Sequence, residues 1–188
     1  YFAISSVDGY VEDPDGSFMA LAPDEEVHVF TNASMRGVDT YLYGRRMYET
    51  MTYWETADLD DSDSVVGFEF ATMWRAATKV VYSRTLEVAT TGRTRVEREF
   101  DADGVRTLKA AAAADLAIGG ADLGGQALAA GLVDEMHLYL APVIFGGGKP
   151  ALPSGLALDV ELLEEHRFAS GFVHLRYGVS ALASASRT

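Results

Sequence analysis

The sequence predicts an α/β fold built on a mixed, mostly parallel sheet. Strand-like and helix-like segments alternate up to about residue 140, the pattern of parallel strands joined by helical crossovers. Two further strand-like runs follow with only a Ser170-Gly171 turn between them, which adds an antiparallel C-terminal pair. The chain has 188 residues, 48% hydrophobic and 23% charged, a composition suited to one globular core. Without a repeat or a linker, a single domain is expected over 1–180, with 181–188 a small polar tail.

The elements follow in order. Tyr1 to Val7 is apolar enough for a buried strand, and Asp8-Gly9 turns it. Pro14-Asp15-Gly16 marks a second turn. Asp24 to Met35 reads as a helix, with Pro23 and acidic residues at the end where the helix dipole favours them. Thr40 to Tyr43 is a short strand closed by Gly44, and a helix runs from Arg45 to Met51. Asp58 to Ser64 is an acidic, solvated loop. Val65 to Ala76 is an amphipathic helix, Lys79 to Tyr82 a strand, and Thr94 to Glu99 alternates like a strand. Asp103 to Ala113 is an alanine-rich helix and Leu116 to Ile118 a buried strand. Asp122 to Ala130 is a helix stopped by Gly131. Glu135 to Leu140 is a strand, Pro142 to Pro150 a glycine-rich loop, and Leu156 to Phe168 and Phe172 to Val179 form the final pair.

Charge and composition narrow the function. Fifteen Lys and Arg against 28 Asp and Glu leave a net charge of −13. Such a surface repels phosphate backbones and anionic lipid, so neither nucleic acid nor membrane is an expected partner. The absence of cysteine excludes disulfides, thiolate metal sites and a cysteine nucleophile. No apolar run reaches the roughly 18–20 residues of a spanning helix, and no secretory signal is visible at the start. The cytoplasm is the expected compartment. The four histidines show no metal-ligand spacing, so no metal is expected. Gly146-Gly147-Gly148-Lys149 is followed by Pro150 and so is not a P-loop, and no G-x-S-x-G elbow is present.

Three strand ends carry the remaining chemistry, and in open parallel sheets ligands sit at those ends. Gly44-Arg45-Arg46-Met47 starts a helix with two arginines, an unfavourable place for cations unless an anion is bound. It reads either as a phosphate clamp or as a surface helix with incidental arginines. Ser83-Arg84-Thr85 offers two hydroxyls and a guanidinium, the groups that recognise a phosphate monoester, or else a polar turn. Gly119-Gly120, ahead of Ala121, Asp122, Leu123 and Gly124, lets backbone approach a ligand closely, or packs a helix tightly on a strand. It lacks the G-x-G-x-x-G spacing.

In order along the chain, Ser6-Val7-Asp8-Gly9, Gly44 to Glu49, Lys79 to Leu86, Ile118-Gly119-Gly120, Leu132 to Glu135 and Ala141 to Gly148 resemble the dihydrofolate-reductase-like superfamily. The nearest branch is the bacterial one similar to the C-terminal reductase domain of the riboflavin-biosynthesis deaminase–reductase. The resemblance spans about Tyr1 to Val179. It implies a three-layer α/β/α fold and NADPH bound across the three strand ends. Gly44, Arg45, Arg46 and Met47 would hold the pyrophosphate, and Ser83, Arg84 and Thr85 the adenosine 2′-phosphate. Ile118 and Gly119 to Gly124 would lie along the pyrophosphate and nicotinamide ribose, with a cis peptide between Gly119 and Gly120. Met47 departs from the threonine of the dihydrofolate reductases, so one hydroxyl contact is missing.

The resemblance further implies a floor of Ala3, Ile4, Ser5 and Val11 beside the nicotinamide. Substrate would lie between that strand, the 24–35 helix and the helix ending near Met51, walled by Trp54. Asp8, Asp24 and Glu26 are the proton-donor candidates; Asp8 also reads as a turn residue and Glu26 as a solvated carboxylate at a helix start. The implied activity is NADPH-dependent reduction of a small heterocyclic ring (pterin, folate or pyrimidine-like) or of a carbonyl. The alternatives are a non-catalytic NADP(H)-binding module and a flavin-using reductase. The deaminase zinc motif is absent, so the chain is not the bifunctional riboflavin enzyme. A homodimer through strands late in the chain is expected by analogy.

Overall fold

Strand β1 (Phe2–Ser6) opens the chain in the computed structural model, which describes residues 1–57 and 65–180. It is followed by β2 (Tyr10–Glu12), a 3-10 turn at Met19–Leu21, α1 (Glu25–Met35), β3 (Val38–Gly44), α2 (Arg45–Met51), α3 (Tyr53–Thr56) and α4 (Val65–Ala76). Then come β4 (Thr78–Tyr82), β5 (Thr94–Glu97), α5 (Ala102–Ala111), β6 (Asp115–Gly119) and α6 (Ala121–Ala129). The chain ends on β7 (Glu135–Ala141), the short β8 (Lys149–Pro150), β9 (Asp159–Arg167) and β10 (Val173–Ser180). The acidic 58–64 loop and the 181–188 tail expected from sequence lie outside the described residues.

One eight-stranded sheet runs in the order β5-β4-β3-β6-β1-β7-β10-β9. Its pairs are parallel from β5 across to β7 and antiparallel at β7-β10 and β10-β9. The mixed sheet with an antiparallel C-terminal pair is therefore present as the sequence predicts. The last pair is somewhat shorter than expected, because β9 begins at Asp159 rather than Leu156.

Alternation along the strands sorts the core into two layers. Leu42, Val80, Ala3 and Ile118 face Val105 of α5 and Leu123 and Leu128 of α6. Tyr41, Tyr43 and Val81 face the opposite way, against Tyr48 and Met51 of α2 and Phe70 and Trp74 of α4. Val27 of α1 joins Tyr139, Ala141, Phe168 and Phe172 on that same side. Helices α1 to α4 thus cover one face and α5 and α6 the other.

This topology opens a crevice. The connections leaving β1 and its neighbour β6 go to opposite faces, which leaves space at their carboxyl ends. The register adds to it: Phe2 at the start of β1 pairs with Gly119 at the end of β6, so the rest of β1 outruns β6. Ile4 lies near the middle of the sheet and yet is only half-buried. A second, two-stranded sheet of β2 and β8 straps the same end. Gly148 makes that strap possible: a Cβ there would stand 2.0 Å from the Glu12 carbonyl oxygen, and its φ is +120°.

Candidate functional site

Residues of the three strand-end segments meet at one rim. Arg45 starts α2, and its guanidinium donates to Glu49 Oε1 at 2.7 Å and to Thr85 Oγ1 at 2.7 Å. That second bond ties the β3 end to the β4 end. Met47, two residues on, lies over the paired glycines, with its Cβ 3.4 Å from where a Gly120 Cβ would be. Gly119 is closed in by the Tyr43 ring, 3.2 Å from its missing Cβ, and by Met47. Close approach thus favours glycine at 119, whereas at 120 the contact is an ordinary one.

The expected cis peptide is absent: all peptide bonds are trans among the described residues. Gly120 makes the turn in another way, with φ +93° and ψ 127°, a conformation a side chain would strain. The reversal into α6 is achieved at the Cα of Gly120 instead of by a rotated peptide.

The helix starts at this rim differ from their neighbours. Asp24 caps α1 by accepting from Val27 N–H, and Asp101 caps α5 by accepting from Asp103 and Gly104. The starts of α2 and α6 have glycine caps and no side-chain cap bond. Their first N–H groups are left for another acceptor, the arrangement that suits an anion. A Cβ at Gly44 would meet nothing within 4 Å, so the space over the start of α2 is open. These features fit a dinucleotide phosphate group.

Other expected residues are placed with more variety. Ser83 is buried, and its hydroxyl accepts from the N–H of Thr85 and Leu86, fixing the turn after β4. Arg84 is exposed and lies 3.5 Å from Glu99. Arg46 reaches across to Glu12 of the strap at 3.1 Å, and Asp122 of α6 receives Lys149 of the strap at 2.5 Å. The strap is thus pinned to both uncapped helix starts. Ala121 stands in the first turn of α6 at the rim, with its side chain half-buried. Ile118, Leu123 and Ala3 point into the α5–α6 core, so only their backbone reaches the site. Gly124 does not reach it: its N–H is spent on the Gly120 carbonyl, and its missing Cβ faces the Tyr1 ring. Val11 belongs to the strap and packs against the core. Met51 is buried among Tyr41, Phe70 and Trp74. Trp54 is half-buried, with His28 of α1 at 5.8 Å and Phe70 at 4.9 Å between ring centroids.

Both acids singled out as catalytic accept backbone hydrogen bonds. Asp8 takes the N–H of Phe145 at 3.1 Å and of Gly146 at 2.7 Å, holding the glycine-rich loop against the end of β1. The Ser6 hydroxyl foremost, and then those N–H groups, hold its carboxyl below the usual aspartate value. Glu26 takes the N–H of Ala169 at 3.0 Å, in the turn between β9 and β10. Asp24 is lowered by Ser170 and by its cap to Val27. Sequence reasoning missed Glu12, Lys149 and His28. Glu12 and Lys149 act through ion pairs to distant segments, which no local pattern announces. His28 stands apart from the other histidines in the sequence, and only the fold brings it to Trp54.

A cavity of about 510 Å³ opens at the other end of the strands, lined by residues such as Tyr1, Val38, Asp115 and Glu135. It is separate from the rim. Among the described residues no group of three or more metal-ligating side chains occurs, and no helix is long and apolar enough to cross a membrane.

Known proteins share this architecture. The chain is 27% identical over 176 residues to the uncharacterized protein YyaP of Bacillus subtilis, covering 92% of this chain and 89% of that one. A pyrimidine reductase-like protein of Corynebacterium diphtheriae superposes with a TM-score of 0.66 at 16% identity, over 96% of this chain and 90% of that one. A diaminohydroxyphosphoribosylaminopyrimidine deaminase/5-amino-6-(5-phosphoribosylamino)uracil reductase of Thermotoga maritima superposes with a TM-score of 0.62 at 15% identity, over 95% of this chain but 55% of that larger one. These likenesses agree with the dihydrofolate-reductase-like fold. With a sequence match running from residue 1 to residue 174, the chain belongs to the RibD C-terminal domain family.

Proposed function

We propose that this protein is an NADPH-dependent reductase of a small heterocyclic or carbonyl substrate. One observation carries the reading: the Arg45–Thr85 bond and the Met47–Gly120 contact bring three strand ends to one rim with two uncapped helix starts. The pyrophosphate would lie over the N–H groups of Arg45 and Arg46 and of Ala121, Asp122 and Leu123. Arg84 and Thr85, with Ser83 shaping their turn, would take the 2′-phosphate. A bound nicotinamide supplies the hydride. The chain's own contribution is to orient the ring beside Ile4 and to exclude water with the strap.

Reversing Arg84 to Glu tests the assignment. NADPH binding is expected to weaken by roughly tenfold or more, since a charge-assisted contact becomes a repulsion, while NADH binding changes little. Equal loss for both cofactors in a fluorescence titration removes the 2′-phosphate site.

A second reading, a nucleotide-binding module without turnover, is favoured by the acids. Asp8 and Glu26 both spend their carboxylates on backbone N–H groups. Loss of nicotinamide absorbance with any ring or carbonyl substrate supports the reductase; tight NADPH binding without consumption supports the module.

A further inference from the structure

We propose that the substrate of this site is a flat ring compound that carries no phosphate ester. This rests on the reductase reading, which assigns Arg45, Arg46 and Arg84 to the cofactor. Among the described residues, the elements around the end of β1 then offer nothing basic for the substrate. Residues 1–35, 47–74 and 110–148 contain no lysine and no arginine. Those stretches supply β1, β2, α1, the rest of α2, α3, β6, α6, β7 and the glycine-rich loop, along with α4 up to Trp74. They include the end of β1 and the described parts of α1 to α4 that stand on one side of the crevice.

Cations just beyond these stretches are occupied or point elsewhere. Arg75 donates to the carbonyls of Trp54 and Ala57, and Lys149 is held by Asp122. Arg36, at the far end of α1, pairs with Glu69. His166 stacks on Phe30 of α1 and Phe168 meets it edge to face, so strand alternation sends Arg167 to the opposite face.

What α1, α3 and the end of β1 do present is aromatic and acidic. His28 and Trp54 stand edge to face, with the Tyr53 ring centroid 5.0 Å from that of Trp54. Burial lowers the proton affinity of His28, which disfavours the imidazolium. Asp24, Glu25 and Glu26 occupy the start of α1, and Asp8 the end of β1. A flat neutral ring is favoured by such walls. A phosphate dianion there meets carboxylates and finds no guanidinium fork. The Thermotoga protein is named for a phosphoribosylated uracil; this chain retains a cofactor rim and offers no partner for such an ester.

A matched pair of ligands tests this: 5-amino-6-ribosylaminouracil and its 5′-phosphate, titrated calorimetrically into the full chain saturated with NADP⁺. The unphosphorylated compound is expected to bind at least about tenfold more tightly, with the gap narrowing as salt screens the repulsion. Equal or tighter binding of the phosphate ester overturns the proposal, and so does failure of both compounds to bind. Val7, 58% exposed at the end of β1, gives a second variant. Val7→Arg is expected to narrow the gap, and an unchanged gap overturns the electrostatic account. Failure of NADP⁺ itself to bind is seen before either ligand is added, and it counts against the reductase reading alone.

Discussion

Gly148 and Gly120 are spent on geometry that no other residue supplies. At Gly148 the strap crosses so closely that a Cβ would sit on the Glu12 carbonyl oxygen, and the φ of +120° adds strain of its own. Gly148→Ala is expected to cost about 1–3 kcal/mol and to free the strap, read as a lower urea midpoint and faster exchange of the β2 amides. Unchanged exchange would show that the strap is not held there. Gly120 has more space, with Met47 Cβ at 3.4 Å, but its φ of +93° still excludes a β-branched residue. Double glycines were legible in the sequence as a site of close approach. Their peptide geometry was not, because a cis bond and a positive φ are alternative ways to make one turn, and the packing of Met47 and Tyr43 accompanies the second.

Among the elements, the glycine-rich loop and the sheet's histidines carry separate predictions. Asp8 holds the loop through two N–H donors. Asp8→Asn keeps the shape but loses the charge and one acceptor, so faster amide exchange at Phe145 and Gly146 is expected. An exchange pattern identical to the parent would remove Asp8 as the anchor. On the α1 face, His174 is 1% exposed, packed against Tyr139, Phe30 and His137, with His166 and Arg176 adding positive charge nearby. Burial foremost pushes its pKa down to about 4. The unfolded chain therefore takes up a proton that the folded chain refuses. Stability is full above about pH 6.5 and falls as the pH drops toward 4, by at most about 1.4 kcal/mol per unit. His137, lowered chiefly by burial as well, acts in the same direction. His174→Phe is expected to flatten the dependence of the urea midpoint between pH 6.5 and pH 5 without abolishing it. An equally steep dependence would assign the effect to other groups.

For the molecule as a whole, the outer edge of the sheet carries the prediction. β9 lies at the end of the sheet and is exposed along its length, with Val160, Leu162 and Leu163 each more than 40% accessible. Long, partly apolar edges invite pairing unless they are covered. A second copy is the expected cover, and sedimentation is expected to show a dimer that Leu162→Lys shifts toward monomer. A parent chain that sediments as a monomer at all concentrations would refute this.

The sequence by itself determined the alternation of the main strands and helices, the antiparallel ending and the three strand-end segments, but not the short β2, α3 and β8. Those signals are local: a periodicity, a glycine after an apolar run, a pair of arginines at a helix start. Only the tertiary structure decided which of those segments touch and which acids are committed. Arg45 meets Thr85 across 40 residues, Arg46 meets Glu12 across 34, and Asp8 reaches Phe145 across 137. Such contacts are set by strand order and register, which place residues side by side without leaving a trace in their neighbours along the chain.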